Sequence, residues 1–268
     1  DIAIEGVQEP SSGGAAGAFA PGQTFMVEAY CGVEDLHHTS TWSILALSMD
    51  AHIAPASLLG KTCTLHTTLA DGSRTTTTGL ITQAAQIGAE GGLARYRLDL
   101  CDASWMLGQS LASRVWQDTP VLDIIASILA RYAPQLDWRL SDEVAPFMSE
   151  AHQGGLRSYC VQYRETDLGF VSRLLADEGL SWRVEESADS ATKHRLVIFA
   201  DCTQKDTFPQ DYSSAHDNGG QGIRFHRGQS MEAQDTFQSL SQVRHLSSSI
   251  VTVLSTDYKT RQSHSASS

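Results

Sequence analysis

The chain has 268 residues, 41% of them hydrophobic, and a formal net charge of −12. Its 31 acidic and 19 basic residues argue against nucleic acid or anionic membranes as partners, because such binding depends on clustered Lys and Arg. The length allows one large domain or two small ones, and it is enough to bury a core without disulfides or metal. No run approaches the roughly 20 apolar residues of a membrane span and no signal peptide is recognisable, so the sequence predicts a soluble protein.

The cysteines are predicted to be reduced and structural. Their wide spacing includes no C-x-x-C pair, so neither a zinc ribbon nor a redox pair is indicated. Most fall in apolar or alternating stretches, where a free cysteine acts as a small buried hydrophobe, and this usage is typical of a reducing cytosol. The five are Cys31, Cys63, Cys101, Cys160 and Cys202.

Residues 1–22 are predicted to form a flexible N-terminal segment, because 10–22 are rich in Pro, Gly, Ser and Ala. From residue 23 the hydrophobic period changes to two. Phe25, Val27 and Ala29 alternate with Met26 and Glu28, which predicts a strand. Residues 42–48 form a second run of the same kind.

A β-hairpin is the clearest local signal of the first region. The strand-like run 62–65 is followed by Asp71-Gly72-Ser73 and then by the threonine-rich run 74–81. Asp-Gly supplies the positive φ angles of a tight turn, and Thr favours strands. A glycine-rich loop at Gly88–Gly92 leads into 95–101, where Tyr, Leu and Leu alternate with charged residues. Residues 23–101 therefore predict a small antiparallel barrel or sandwich.

Residues 102–222 are predicted to form an α+β domain. Asp118-Thr119-Pro120 has the composition of a helix start, with a side-chain acceptor before a proline, and the apolar residues of 121–132 recur at helical spacing up to Pro134. Residues 141–157 are predicted to be irregular, and 159–163 to be a strand.

A second helix is predicted from Leu168 to Glu178. Thr166-Asp167 would cap its start and Gly179 its end. Its apolar stripe is predicted to brace the flanking strands 159–163, 180–184 and 195–199; the stripe consists of Phe170, Val171, Leu174 and Leu175.

Residues 223–268 contain two further strand-like runs, 223–227 and 250–254. Too little chain follows them to close a core alone. We therefore expect them to belong to an incomplete second barrel or to return to the first sheet.

No catalytic, cofactor-binding or metal-binding residue is predicted, because no motif for phosphate binding, nucleophilic catalysis or a catalytic zinc site occurs. Several acidic, histidine and glycine residues are predicted to have structural roles. Asp35, His37 and His38 lack helical spacing and a further ligand. Glu165 and Asp167 are predicted to cap a helix rather than to act as catalytic carboxylates. The pairs Asp177-Glu178 and Glu185-Glu186 are predicted to be solvated, and Gly88–Gly92 and Gly219–Gly222 to be ordinary loops.

The run YCVQYRETDLGFVSRLLADEGL, residues 159–180, resembles the VgrG family, the spike-tip proteins of bacterial type VI secretion systems. That family is related to the hub of contractile phage baseplates. Collinear blocks extend the resemblance over about residues 40–262. They are SLLG (57–60), GLIT (79–82), ARYRL (94–98), SRVWQ (113–117), IRFHR (223–227) and TDYK (256–259).

The resemblance implies an α+β, mainly β fold like that of a phage baseplate hub, with a β-barrel tube domain at 23–101 and an α+β insertion at 102–222. It also implies a structural protein without cofactors, a homotrimer that joins the Hcp tube to a membrane-puncturing needle. Effector or spike-tip proteins would be further partners, and the target membrane would be contacted only through the needle. Such a protein is assembled in the bacterial cytoplasm and then secreted or delivered into target cells.

The chain departs from the family pattern because its residues include no needle repeats and no second complete barrel, and it lacks an initiator Met; we therefore expect a piece of a longer protein. Two alternatives stay open. One is an envelope-degrading hydrolase module, and the other is a ligand-binding β module of a phage-like particle. A deep, water-excluded cleft with converging titratable groups would argue against the structural role.

Overall fold

The computed structural model describes residues 2–5, 24–69, 72–152, 156–200, 224–225, 236–237, 239–257 and 261–267. Residues 1–213 and 214–268 form two compact units. Within the first unit two separate apolar cores lie on either side of position 102. The domain boundaries given above, 1–22, 23–101, 102–222 and 223–268, stay predictions.

The first core lies under a six-stranded antiparallel sheet in the order β1-β4-β5-β6-β3-β2. The sheet curls, because the Thr67 hydroxyl of the second strand in this order reaches the Tyr30 hydroxyl of the sixth at 3.5 Å. This confirms the prediction of a mainly β fold with an antiparallel first region. The strands are β1 (Ile2–Ile4), β2 (Met26–Val33), β3 (Thr41–Ser48), β4 (Thr62–Thr68), β5 (Arg74–Glu90) and β6 (Leu93–Cys101).

Alternation in β6 sends one set of side chains into this core. Tyr96, Leu98 and Leu100 are buried, whereas Arg95 on the opposite face is exposed. Burial of each such side chain contributes about 1.5–3 kcal/mol relative to its exposure. Tyr96 also meets Phe25 edge to face, with ring centroids 5.5 Å apart. The period-two prediction for this segment is confirmed.

Three details of the barrel differ from the sequence predictions. Residues Ile2–Ile4, inside the segment predicted as flexible, form β1 and pair with β4. A bulge between Val27 and Ala29 shifts the register of β2, so Ala29 is exposed and does not share the buried face of Phe25. Gly88 lies within β5, and only Gly91-Gly92, with φ of 62° and 82°, form the turn to β6. Residues 6–23 lie outside the described residues.

The second core belongs to the α+β region. Its sheet has the order β10-β11-β8, with β8 parallel to β11, and β7 and β9 form a separate antiparallel ribbon. The elements are α1 (Ser104–Gly108), β7 (Leu111–Pro120), α2 (Val121–Leu129), β8 (Trp138–Leu140), α3 (Val144–His152), β9 (Leu156–Thr166), α4 (Asp167–Asp177), β10 (Ser181–Glu186) and β11 (His194–Phe199). None of the helices in the described ranges is long and apolar enough to cross a membrane.

Helix α4 confirms the predicted brace. The Thr166 hydroxyl accepts a hydrogen bond from the Gly169 N–H at 3.0 Å and so caps the first turn. The predicted apolar stripe is buried, and Phe170 stacks on Trp116 of β7 at 5.2 Å. After the helix, Gly179 adopts a φ of 73°, the left-handed conformation expected of a C-terminal glycine.

Two predictions for this region are wrong. Pro120 is itself the N-cap of α2 and no side chain caps the helix; Asp118 instead adopts a φ of 48° within β7. Residues 141–157, predicted to be irregular, contain α3. Pro146 lies in the first turn of that helix, where a missing N–H breaks no intrahelical bond.

The cysteines follow the prediction in the main. Cys63, Cys101 and Cys160 are buried free thiols, and burial raises the pKa of Cys63 to about 12. Cys31 is exposed on β2, contrary to the general expectation of burial. Cys202 lies outside the described residues.

The second unit contains two strand pairs. β12 (Arg224–Phe225) is parallel to β13 (Thr236–Phe237), and β14 (Thr252–Asp257) is antiparallel to β15 (Gln262–Ser267). Both predicted strand runs therefore contain strand. Every residue of 239–256 is exposed. The Gly219–Gly222 cluster lies outside the described residues.

Candidate functional site

The barrel and the α+β region meet at a polar junction around Asp102, which directly follows β6. Its fully buried carboxylate accepts hydrogen bonds from the N–H groups of Ser40 at 2.6 Å and Ser104 at 2.8 Å. The Asp102 N–H donates back to the Ser40 carbonyl at 3.1 Å. A buried carboxylate is stable only when such donors replace its lost water. Asp102 therefore fixes the loop before β3 against the start of α1.

His194 completes this junction from β11. Its Nε2 accepts a hydrogen bond from the Ala103 N–H at 3.2 Å, so the proton of the neutral ring lies on Nδ1. Burial lowers the pKa of His194, against the opposite effect of nearby Asp102. The junction thus places a buried aspartate side chain beside a histidine whose lowered pKa favours the neutral ring.

A second polar contact joins the two regions at the end of β10. The Glu186 carboxylate accepts hydrogen bonds from the N–H of Thr78 at 2.5 Å and from its hydroxyl at 2.9 Å. Glu186 is exposed as a residue, but loss of water around its carboxylate raises its pKa, and Glu34 raises it further, while the Thr78 hydrogen bonds oppose them. Beside it, the His37 N–H donates to the Trp182 carbonyl at 3.2 Å.

Between these contacts lies a cleft of about 750 Å³. One wall is formed by Thr75–Thr78 of β5, and the others by residues 34–36 and 183–186. Four carboxylates and one guanidinium line it, since Glu34, Asp35, Glu185 and Glu186 face Arg183.

The carboxylates of the cleft are engaged by the protein itself. Glu34 accepts from the Trp42 indole at 3.3 Å, and Glu185 pairs with Arg183 and, at 3.4 Å, with Arg139. Glu34 and Asp35 are exposed, so the cleft is open to water. The arrangement can hold two regions together or bind a polar ligand.

The candidate metal ligands Asp35, His37 and His38 do not converge on one point. Asp35 lies 3.5 Å from His38 in a pair that is exposed on both sides. His37 adopts a φ of 66° and contributes its backbone, not its ring, to the junction. Among the residues that the structure describes, no group of three or more His, Cys, Asp and Glu side chains could hold a metal ion.

Asp167, predicted as part of a helix cap, has a different role. It is fully buried and accepts hydrogen bonds from Arg114 at 2.7 Å, Gln162 at 2.7 Å and the Tyr132 hydroxyl at 2.7 Å. Burial alone would raise the pKa of this carboxyl, but these donors outweigh it and lower the pKa. Glu165 binds Arg173 at 2.6 Å on the surface. The cap belongs to Thr166 alone.

The predicted solvated pairs are also more engaged than expected. Glu178 is buried and pairs with Arg157, while Asp177 remains partly exposed 3.7 Å from the same guanidinium. Glu185 is half-buried between its two arginines. The prediction of solvated faces is therefore wrong for Glu178 and Glu185. Glu178 pairs with Arg157 of β9, and Glu185 pairs with Arg183 of its own strand.

Sequence reasoning missed Asp102, His194 and Thr78. Their partners lie 62 to 108 residues away in the chain, so no local spacing could reveal them. The only sequence signal is the position of Asp102, an acidic residue placed directly after the alternation of β6 ends.

The architecture described above is found in a known family. A family model described as "Phage tail baseplate hub (GPD)" matches residues 33–268. The chain belongs to this family. The match covers both regions of the first unit as well as the strands of the second.

Similar proteins are spike proteins of type VI secretion systems. VgrG1b of Pseudomonas aeruginosa is 31% identical over 187 residues, which is 68% of this chain and 23% of that protein. VgrG1a of the same organism is 25% identical over 193 residues, covering 68% of this chain and 26% of that protein. The chain thus spans about a quarter of the length of these relatives. The resemblance to VgrG proteins expected from residues 159–180 is confirmed.

A solved structure shares the fold. It is the E. coli c3393 protein, described as a type VI secretion component similar to the phage T4 tail proteins gp27 and gp5. The TM-score is 0.58 at 24% identity, over 75% of this chain and 49% of that one. The baseplate-hub-like fold is therefore established for the described part of the chain.

Proposed function

We propose that this chain is the hub part of a type VI secretion spike, three copies of which form an adaptor between the Hcp tube and a membrane-puncturing needle. The observation that carries the proposal is the match of residues 33–268 to the phage baseplate hub family. The 31% identity to a spike protein over 187 residues supports the same role.

The geometry supports a role in assembly. The terminal strands β1 and β2 of the curled sheet each have one neighbour among the described strands, so each presents an unpaired edge. Such edges invite pairing with another chain, and a closed ring of subunits covers them. The incomplete second barrel proposed for residues 223–268 would be completed in the same assembly.

The proposal includes the partners and the location of the protein. The Hcp tube lies on one side of the ring, and effector or spike-tip proteins lie on the other; nucleic acid is not a partner. The target membrane is reached only through the needle. Assembly takes place in the bacterial cytoplasm, and the spike is then secreted or delivered into target cells. The proposed protein is not an enzyme, in keeping with the open, internally engaged cleft.

The test is co-sedimentation of the chain with assembled Hcp tubes of two lengths at constant Hcp mass. A hub binds tube ends, so shearing the tubes should increase the bound amount in proportion to the number of ends. Saturation should occur at three chains for each occupied end. Unassembled Hcp rings at the same mass are the control. Binding in proportion to tube mass, or no binding to sheared tubes, would refute the adaptor role.

The ligand-binding alternative rests on one observation, the 750 Å³ cleft with its threonine wall and aromatic Trp42. Isothermal titration with soluble murein fragments tests it. Saturable binding that is weakened in Thr76→Val would favour a ligand-binding module. Release of reducing sugar from the same fragments would favour a hydrolase.

A further inference from the structure

The ribbon of β7 and β9 has a packed face and a solvent-exposed face. Trp116 and Cys160, paired across the two strands, face the core, as do Arg114 and Gln162. The opposite face is formed by the alternate residues of both strands. We call it the ribbon face; it consists of Leu111, Ser113, Val115, Gln117, Tyr159, Val161 and Tyr163.

The ribbon face is apolar and exposed. Leu111 and Tyr163 are each 69% exposed, Tyr159 56% and Val115 53%. Scattered apolar residues are common on surfaces, but these four belong to one face of a single pair of strands. Its other members are neutral, so the ribbon face carries no carboxylate although the chain has a net charge of −12.

The two edges of the ribbon differ. On β9, the Arg173 side chain donates a hydrogen bond to the Val161 carbonyl at 3.2 Å and so covers that edge. On β7, the inward residues Ala112 and Trp116 are only half-buried, whereas Cys160 and Gln162 of β9 are buried. β7 is therefore the outer strand, and among the described strands it pairs with β9 alone. Near the end of β7 the Thr119 hydroxyl donates to the Gln117 carbonyl at 2.9 Å. The rest of this edge, residues 111–116, is a template for strand pairing.

A cation lies beside the ribbon face. Arg164 is the extra residue of a bulge in β9, with a φ of 48°, and its guanidinium lies 5.8 Å from the Tyr163 ring centroid. It is exposed, and within the described residues it makes no ion pair. Next to a neutral, aromatic face this single cation is complementary to a carboxylate on the incoming chain.

We infer that β7 accepts an extended strand of a partner protein, whose alternating apolar side chains extend the ribbon face beside β7 and whose carboxylate pairs with the long side chain of Arg164. Main-chain hydrogen bonds to the β7 edge supply the affinity of such strand addition, and the alternate side chains supply its specificity. A two-fold pairing of β7 with the same strand of a second copy fits less well, because the second ribbon face would supply another Arg164 and no carboxylate. The inference does not depend on the proposed adaptor role.

Two synthetic peptides with blocked ends test the inference: one alternates Val and Thr over eight residues with a terminal Glu, and the other has Lys in place of that Glu. Fluorescence anisotropy with the full chain should show saturable binding that favours the Glu peptide. Arg164→Glu should reverse the preference, by about threefold in each direction, as expected for an exposed charge pair. Tyr163→Ser should weaken binding about tenfold, as expected for an aromatic anchor.

Val115→Thr keeps the shape of the side chain, so this variant should fold like the original chain. It should weaken the binding, whereas Val33→Thr, a matched change on the exposed β2 edge, should leave it unchanged. Equal effects of the two valine variants would overturn the inference, as would no binding of either peptide. Concentration-dependent self-association that is lost in Val115→Thr would assign the ribbon face to a second copy and would also overturn it.

Discussion

The barrel and the α+β region bury different kinds of groups. Among the described residues of the barrel, the buried polar ones are the small hydroxyl residues Ser40, Ser48 and Thr78. Every buried Asp, Glu, Arg or His among the described residues lies between 102 and 194, and these are Asp102, Asp167, Glu178, Arg183 and His194. The barrel therefore depends on apolar packing and backbone geometry, whereas the α+β region also depends on ionisation. The two should respond differently to the same perturbation.

The largest effect should come from a charge in the apolar part of the α+β core. Leu174→Asp places an unpaired carboxylate at a site that is 1% exposed on α4. We expect a loss of more than about 4 kcal/mol of unfolding free energy, measured by urea denaturation. Leu59→Asp, at a half-exposed site, should change it by less than about 1 kcal/mol. Unchanged melting of Leu174→Asp would show that α4 is not a brace.

The next effect concerns the network around Asp167. Asp167→Asn puts an amide donor among groups that all donate and leaves Arg114 without a carboxylate, so we expect a loss of about 2–3 kcal/mol at pH 7. Because the folded state lowers the pKa of Asp167, its stabilising effect is present above the unfolded pKa and is lost as the pH falls through the folded one.

Urea titrations at pH 7 and pH 3 measure this effect. The difference between the original chain and Asp167→Asn should be full at pH 7 and smaller at pH 3. Asp189→Asn, on the exposed turn between β10 and β11, is the control and should show neither change. A difference that does not depend on pH would mean that the network does not act through the charge.

A smaller loss of stability should follow from a steric clash in the barrel. A Cβ on Gly32 would lie 2.1 Å from Cδ1 of Trp42, so Gly32→Ala should force β2 and the indole apart and cost about 1–3 kcal/mol. A Cβ on Gly88 meets no atom within 4 Å, and Gly88→Ala should stay within about 0.5 kcal/mol. Trp fluorescence and thermal melting measure both. Equal melting temperatures would show that the indole can move freely.

The smallest effect belongs to the contact between the two regions. Because the folded state raises the pKa of Glu186, its contribution favours folding below the unfolded pKa and is lost as the pH rises through the folded one, the opposite sign to Asp167. Glu186→Gln can keep both contacts with Thr78 without this dependence. Between pH 4 and pH 7, the melting temperature of Glu186→Gln should rise relative to that of the original chain. The melting temperature of Glu90→Gln, at the exposed end of β5, should not rise relative to that of the original chain.

The parts of the fold that follow local rules were predictable. The alternation in β6, the hairpin of β4 and β5, and the Thr166 cap of α4 each depend on neighbours within a few residues. β1 was not predictable, because three residues carry too little pattern and their partner strand lies some 60 residues away. α3 was obscured by Pro146, which breaks helices in general but is tolerated in the first turn.

The candidate site was less predictable than the fold. Glu186 and Thr78 are separated by 108 residues, and Ala103 and His194 by 91, so tertiary packing alone brings them together. The position of Asp167 beside Thr166 predicts a helix cap, and nothing in the local sequence indicates its burial. Its burial depends on Arg114, Gln162 and Tyr132, which converge only after β7 and β9 have paired.

The polar junction has a mechanical consequence. The two apolar cores share no residue, and the described links between them are a few hydrogen bonds around Asp102, Thr78 and His37. Under a pulling force these bonds should rupture before either core does. Such a seam would let one lobe tilt relative to the other while both cores stay folded.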